Sequence, residues 1–283
     1  MDIIDSHLHV WDRSRARYDW LGPHVADVDR DITFDEVVPE LDRAGVDGVI
    51  LVQSADERGD TENMLDVASR EERVVGVVGW VPLDDAPRAT ELLDRFGSEK
   101  IVGVRNLIHD RSDPDWVLSS PVDEGLTVLE RERLPFDFVT GDPAALTRLM
   151  IAADRHPDLP IVLDHLGKPT IDGAEAERAE WRRLLALVAE RPNVFAKVSG
   201  LYAASGKADS WTTPQVGSAA RVACDLFGAE RLMYGGDWPM STMAGGYERV
   251  FAALQAATAD WSQFERENYF ARTARAVYRL PGP

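Results

Sequence analysis

The sequence predicts a parallel α/β protein closed into one (β/α)8 (TIM) barrel, and three observations carry that expectation. Eight short apolar runs alternate with helical segments along the chain. No G-x-G-x-x-G follows any of the runs, which argues against an open, doubly wound nucleotide-binding sheet. No Gly/Ser linker or low-complexity tract divides the 283 residues, a length that a single barrel domain over 1–283 commonly fills.

The first run opens at Ile3 and Ile4 and leads into His7 and His9. Side chains two residues apart share one side of a strand, so both imidazoles should project together. Residues 11–31 form a connection too long for a routine βα loop. It holds Trp11, Tyr18, Trp20 and His24, and its aromatics suggest part of a binding site. Residues 33–44 read as a helix, with Thr33 and Glu36 at the capping-box spacing.

Strand and helix then alternate: strand 48–52, helix 61–69, strand 74–81, helix 86–96 and strand 101–107. A helical segment at 122–133 precedes strand 134–139 and helix 143–156, which carries Leu146, Leu149 and Met150. Strand 161–166 is followed by helix 174–190, whose Trp181, Leu184, Leu185 and Val188 fall on one face. Strand 194–198, helix 213–227 and strand 232–236 complete the eight, and helices at 247–257 and about 262–277 close the chain.

Composition narrows the function. A hydrophobic fraction of 45% is ordinary for a globular protein with a large core. A net charge of −18 argues against nucleic acid and against an anionic membrane surface, and reads as a solvated acidic exterior. Cys224 is the only cysteine, so no intrachain disulfide can form; its place in a helix suggests packing. The N-terminus lacks a basic segment followed by an apolar run, and no stretch is long enough to span a bilayer. A soluble cytoplasmic protein is expected, with self-association into a homo-oligomer left open.

In a (β/α)8 barrel the active site lies at the C-terminal strand ends, so the polar residues there form the candidate site. The first strand ends in Asp5, His7 and His9, the fourth in Arg105, and the sixth in Asp164 and His165. The seventh ends in Lys197 and Ser199 and the eighth in Asp237. Singly, each has an ordinary structural explanation. Together, on one rim, they point to catalysis. Paired imidazoles can ligate a metal, polarise a carbonyl or shuttle a proton. His24 and His109 are placed in loops over the rim, and His156 at an exposed helix end.

The motifs DSHLHVWD, GVRNLIH at Arg105, VLDHLGKP at His165, VFAKVSGL at Lys197, YGGDWP at Asp237 and the closing RTARAVYRL resemble the amidohydrolase (metal-dependent hydrolase) superfamily. Within it they are similar to the amidohydrolase-2 group of sugar lactonases (the L-fuconolactonase and L-rhamnonolactonase type) and 2-pyrone-4,6-dicarboxylate lactonases. The resemblance runs in order over almost the whole chain. It implies a lactone hydrolase of carbohydrate catabolism acting on a small-molecule lactone. A 2-pyrone-4,6-dicarboxylate lactonase is the close alternative to a sugar lactonase, and a metal-dependent nonoxidative decarboxylase of the same superfamily is the other.

Binuclear members also need a bridging Lys or Glu and a further His from the middle strands, and the fifth strand here, LPFDFVTGD, offers neither Lys nor His. The resemblance therefore implies either a single Zn2+ or Mn2+ on His7, His9, His165 and Asp237, or metal-independent use of the same residues. Asp237 is expected to act as general base towards water, with the histidines or the ion polarising the carbonyl. Arg105 is the candidate for gripping a substrate carboxylate or carbonyl oxygen. Trp11 and Trp238 are candidates for stacking on a sugar ring, and Lys168 for contacting its hydroxyls. Lys197, if inside the barrel, requires a carboxylate partner.

Overall fold

The apolar runs become the strands of one parallel sheet whose neighbours follow chain order. They are β1 (Ile4–Leu8), β2 (Gly48–Val52), β3 (Val74–Gly79), β4 (Ile101–Asn106), β5 (Phe136–Phe138), β6 (Ile161–Leu163), β7 (Val194–Val198) and β8 (Leu232–Tyr234). The computed structural model describes residues 1–97, 100–204 and 210–282. The sheet closes just past β8. Leu8 bridges Trp238 in parallel, the His9 N–H donates to the Trp238 carbonyl at 2.7 Å, and the Asp237 N–H donates to the His7 carbonyl at 2.8 Å. The Ser6 hydroxyl adds a bond to the Tyr234 carbonyl at 2.5 Å. These bonds bring the first and last motifs of the chain to one seam.

Helices α1 (Val38–Ala44), α2 (Arg58–Ala68), α3 (Ala86–Phe96), α4 (Ser120–Glu132), α5 (Leu146–Arg155), α6 (Glu175–Ala189) and α7 (Thr213–Phe227) follow successive strands. After β8 come α8 (Met240–Met243), α9 (Tyr247–Ala257) and α10 (Gln263–Glu267); a π-helical turn (Asn268–Arg272) then leads into α11 (Thr273–Val277). α6 buries the face its periodicity predicts, Trp181, Leu184, Leu185 and Val188. Its Trp181 indole N–H donates to the Leu166 carbonyl at 2.8 Å, tying the helix to the turn after β6. The C-terminal residues Ala271, Ala274, Val277, Tyr278 and Leu280 pack on inward residues of the strands, including Ile4, Ile50, Val78, Val162 and Met233.

Several boundaries depart from the sequence pattern, each for a local reason. The helix expected from residue 33 is a 3-10 turn at Phe34–Glu36 before α1 begins at Val38. Pro39 disfavours helical backbone in the residue before it and can sit only in a first turn. The Thr33 N–H still reaches Glu36 Oε1 at 3.0 Å, so the capping-box pair acts on the short turn. α2 begins at Arg58, three residues before the expected start, and takes in Gly59. A Cβ at Gly59 would overlap the Arg15 carbonyl, so the glycine serves a close approach rather than a helix break. β6 ends at Leu163 rather than 166, because His165, Leu166, Gly167 and Lys168 all take left-handed backbone.

His156, expected at an exposed helix end, is instead only 4% exposed. The end of α5 packs against α4, and the imidazole lies 3.3 Å from Asp123 Oδ1 and 3.6 Å from Glu130 Oε2. Cys224 is buried and unpaired in α7, in keeping with a packing role. No helix among the described residues is long and apolar enough to cross a membrane.

Candidate active site

The closing seam sets the first pair of groups. His7 and His9 leave β1 with their Nε2 atoms 3.2 Å apart. Asp237 Oδ1 lies 3.5 Å from His9 Nε2 and 3.9 Å from His7 Nε2. The orientation of each ring is fixed from its far side. His9 Nδ1 donates to the Val52 carbonyl at 2.7 Å, which leaves its Nε2 as a lone pair facing the seam. His7 Nδ1 lies between Lys197 Nζ at 3.2 Å and Asp164 Oδ1 at 3.3 Å, so either tautomer of that ring has a partner.

His165 reaches the same place by a different device. Its left-handed backbone (φ 55°) starts the turn through Lys168, closed by the Lys168 N–H on the His165 carbonyl at 2.9 Å. Left-handed backbone costs a non-glycine residue roughly 1–2 kcal/mol, and Asp237 also adopts it (φ 52°). Such strain is concentrated here at two of the four central residues. His165 Nδ1 pairs with the Ser199 hydroxyl at 2.9 Å, and its ring centroid lies 4.5 Å from that of His7. Gly200, at φ 56°, passes directly behind: a Cβ there would fall 2.5 Å from His165 Nδ1 and 2.8 Å from Asp237 Oδ2.

Below this rim lies a buried ionic network. Lys197 Nζ contacts Asp137 Oδ2 at 2.5 Å and Asp164 Oδ1 at 3.2 Å. Arg105 Nη1 contacts Asp164 Oδ2 at 2.9 Å, and its Nη2 donates to the Gln53 carbonyl. Tyr278, beyond the last helix, donates to Asp137 at 2.8 Å. The carboxylate partner that Lys197 requires is thus supplied twice, two cations facing two anions.

Burial governs the proton affinities. It pushes the His7 imidazole well below its ordinary value against the pull of Asp164, and lowers His165 to about 4. Both rings are therefore neutral at pH 7. Burial would raise the Asp237 carboxyl, but the neighbouring His165, His9 and His7 outweigh it and hold the group below the usual carboxylate range. The same holds for Asp164, where burial is outweighed first by Lys197 and then by His7. Tyr202 faces Asp237 Oδ2 with its hydroxyl at 3.3 Å.

These groups form the floor of a cavity of about 200 Å³. His9, Arg105, His165, Lys168 and Asp237 supply its polar wall; Trp20, Leu107, Val139 and Met240 supply the apolar one. His7 sits beneath, fully buried. Trp11 and Trp238, proposed to stack on substrate, are not on this wall. Trp11 is 1% exposed with its indole N–H on the Arg30 carbonyl, and Trp238 is 4% exposed beside the seam. Of the long 11–31 loop, Tyr18 is also buried, donating to Asp60 at 2.7 Å, and Trp20 alone reaches the cavity. Arg105 faces the cavity, but its guanidinium is already engaged by Asp164. His109 lines the rim; His24 is exposed and does not.

Among the described residues two donor groups suit a metal ion: His7, His9 and Asp237, and His7, Asp164 and His165, each with all ligand atoms within 4.8 Å. The four residues singled out in the sequence are divided between these two groups, with His165 joining His7 and Asp164. Sequence reasoning missed Tyr202 and Gly200, which stand behind Asp237 and His165. The SGLY tetrapeptide gives no chemical sign of either role.

The chain matches the amidohydrolase family over residues 4–280. It is similar to an L-fucono-1,5-lactonase of Burkholderia ambifaria, 34% identical over 284 residues that cover 99% of this chain and 96% of the relative. An L-fucono-1,5-lactonase of Burkholderia multivorans is 31% identical, with 99% and 97% covered. The crystal structure of a Burkholderia multivorans amidohydrolase with bound zinc superposes at a TM-score of 0.93 with 28% identity, covering 99% of this chain and 100% of that one.

Proposed function

This chain belongs to the amidohydrolase family, and from that premise we propose that it is a hydrolase opening the ring ester of a sugar (aldono) lactone of the L-fuconolactone or L-rhamnonolactone type. The observation that carries the reading is a buried carboxylate, Asp237, set beside the imidazoles of His7, His9 and His165 on the floor of a small cavity. Drug-sized ligands occupy pockets of roughly 300–1,000 Å³, so a cavity of about 200 Å³ suits a single sugar ring. Its two cations on the wall, Arg105 and Lys168, are few for a doubly anionic pyrone dicarboxylate, and Arg105 is already paired.

The chemistry follows from the groups in place. Asp237 takes a proton from a water whose oxygen adds to the lactone carbonyl. The developing oxyanion lies within reach of the Arg105 guanidinium on the cavity wall and of His165, which offers an Nε2–H when its Nδ1 accepts from Ser199. The ring C–O bond then breaks, and Asp237 returns its proton to the departing ring oxygen. Ionisation of the new acid releases one proton per ring opened. Tyr202 holds the second oxygen of Asp237, which keeps the carboxylate aimed at the water.

The donor set His7, His9 and Asp237 fits one divalent ion. Ligand atoms around a tetrahedral zinc stand roughly 3.3 Å apart for bonds near 2.0 Å; here they are separated by 3.2, 3.5 and 3.9 Å. With its Nδ1–H turned to Asp164, His7 presents an Nε2 lone pair beside that of His9, an arrangement that a cation relieves. When bound, Zn2+ or Mn2+ would polarise the carbonyl and acidify a water.

The test is proton release from a panel of aldonolactones in weak buffer with a pH indicator. We expect fast release on at least one lactone, a large loss after chelation, and recovery with Zn2+ or Mn2+. Release untouched by chelation would remove the ion and leave the hydrolase reading standing. No release on any lactone would overturn that reading and favour aromatic carboxylates as substrates.

A further inference from the structure

We propose that a larger cavity beside the reaction cavity is a second sugar subsite, and that the substrate is an aldonolactone carrying a neutral glycosyl residue on one hydroxyl. The proposal rests on the lactonase reading above and specifies its substrate class. The second cavity measures about 460 Å³ and shares Trp20 and Leu107 with the first. It lies on the same rim, because its walls come from the stretches that follow β1, β2, β3 and β4. A single lactone ring held on the floor of the small cavity would leave this larger space beside it empty.

Its lining has the chemistry that recognises a neutral sugar. Trp80 directly follows β3 and is half-buried, its main-chain N–H fixed on the Thr61 hydroxyl at 2.8 Å. Trp20 is anchored by its indole N–H to the Ser54 carbonyl at 2.8 Å, so the ring is what it offers to a ligand. The C–H face of a pyranose packs on such rings, and planar carboxylates and guanidinium groups bind its vicinal hydroxyls. Those planar groups are present and immobilised: Arg111 donates to Asp56 Oδ2 at 2.7 Å and stacks 3.6 Å over Trp116. Two arginines face four carboxylates around the cavity. That balance disfavours an anionic ligand and suits one rich in hydroxyl donors.

The reaction is unchanged. Water adds at the lactone carbonyl, the ring C–O bond breaks, one proton is released, and the glycosidic bond stays intact.

The experiment compares kcat/KM for glucono-1,5-lactone with that for its glycosylated counterparts cellobiono-, maltobiono- and lactobiono-1,5-lactone, alongside simple L-fucono- and L-galactono-1,5-lactone. We expect at least one glycosylated lactone to exceed glucono-1,5-lactone by about tenfold or more. Trp80→Ala should abolish that advantage while leaving the rate on glucono-1,5-lactone within about twofold. Glu57→Gln, a near-isosteric change on the same wall, should reduce the advantage without perturbing the fold. Glycosylated lactones no faster than glucono-1,5-lactone, or an advantage surviving both substitutions, would overturn the subsite. Failure on every lactone, simple and glycosylated, would instead overturn the lactonase reading on which it rests.

Discussion

Asp237 is held in place by main-chain bonds, which separates its chemistry from its structural role. Its N–H donates to the His7 carbonyl, and its own carbonyl accepts from the Ser241 N–H at 2.9 Å. Asp237→Asn keeps both bonds and the shape of the side chain but cannot accept a proton. Turnover should fall roughly 10²–10⁴-fold, the usual contribution of a general base, with an unchanged circular dichroism spectrum. Near-normal turnover on the best lactone would remove Asp237 from the reaction. Gly200 makes the complementary case, a residue with no chemistry of its own. In Gly200→Ala the new Cβ meets His165 Nδ1 where it now pairs with Ser199. We expect a loss of roughly 10²-fold in kcat from misplacing His165. Left-handed backbone at an alanine should cost a further 1 kcal/mol or so of stability. A fully active Gly200→Ala would show that the close approach has no bearing on the site. Asp237 and His165 were legible because carboxylate and imidazole announce their chemistry; Gly200 was not, because its meaning is a distance to residues far away in sequence.

At the scale of elements, the strands are legible in the sequence and the turns of the rim are not. Apolar β-branched runs such as Val49 to Val52 and Val77 to Val78 are buried wherever they go, so their pattern survives folding. The rim is decided by backbone turns that hydropathy does not encode. Leu166 is apolar and lies three residues past the end of β6 yet sits in a left-handed turn, and Trp11 looks like a loop aromatic yet packs in the core. The 11–31 loop is held partly by Asp60, in the first turn of α2, which accepts from Tyr18 at 2.7 Å and from the Ser54 N–H at 2.9 Å. Burial raises the Asp60 carboxyl to about 6 despite these bonds. An acid whose folded pKa lies above its unfolded value near 3.8 favours the folded state at low pH. That contribution is lost as pH rises through the folded value. Relative to Asp60→Asn, the wild type should therefore lose about 2 kcal/mol between pH 4 and pH 7. Comparing urea midpoints of the two proteins across that range cancels the other titrating groups. A flat difference would mean that Asp60 titrates normally.

Across the whole molecule, the barrel is closed twice, and both closures meet at the site. On the rim, the β1–β8 seam joins His7 and His9 to Asp237. Inside, Tyr278 beyond the last helix binds Asp137 on β5, which holds Lys197 on β7, which in turn contacts Asp164 and His7. The need for a carboxylate near Lys197 could be inferred from the cost of a bare buried ammonium, but its identity could not. Asp137 lies 60 residues away and reads, in LPFDFVTGD, as an ordinary polar residue at the middle of a strand. Removing one member of such a network leaves its partner charged and buried. Lys197→Met should thus cost about 3–5 kcal/mol, with Asp137 and Asp164 both deprived of a cation. Asp137→Asn alone should also destabilise, by weakening the hold on Lys197. In the double variant the deprived carboxylate at 137 is gone, so its loss should fall short of the sum of the singles by about 1 kcal/mol or more. Urea unfolding of the four proteins, with m-values shown to be equal, measures that coupling directly. Strict additivity would mean that Lys197 and Asp137 act independently despite their contact. A coupling of the expected size would mean that the ammonium and the carboxylate beneath the histidines stabilise the barrel as a pair.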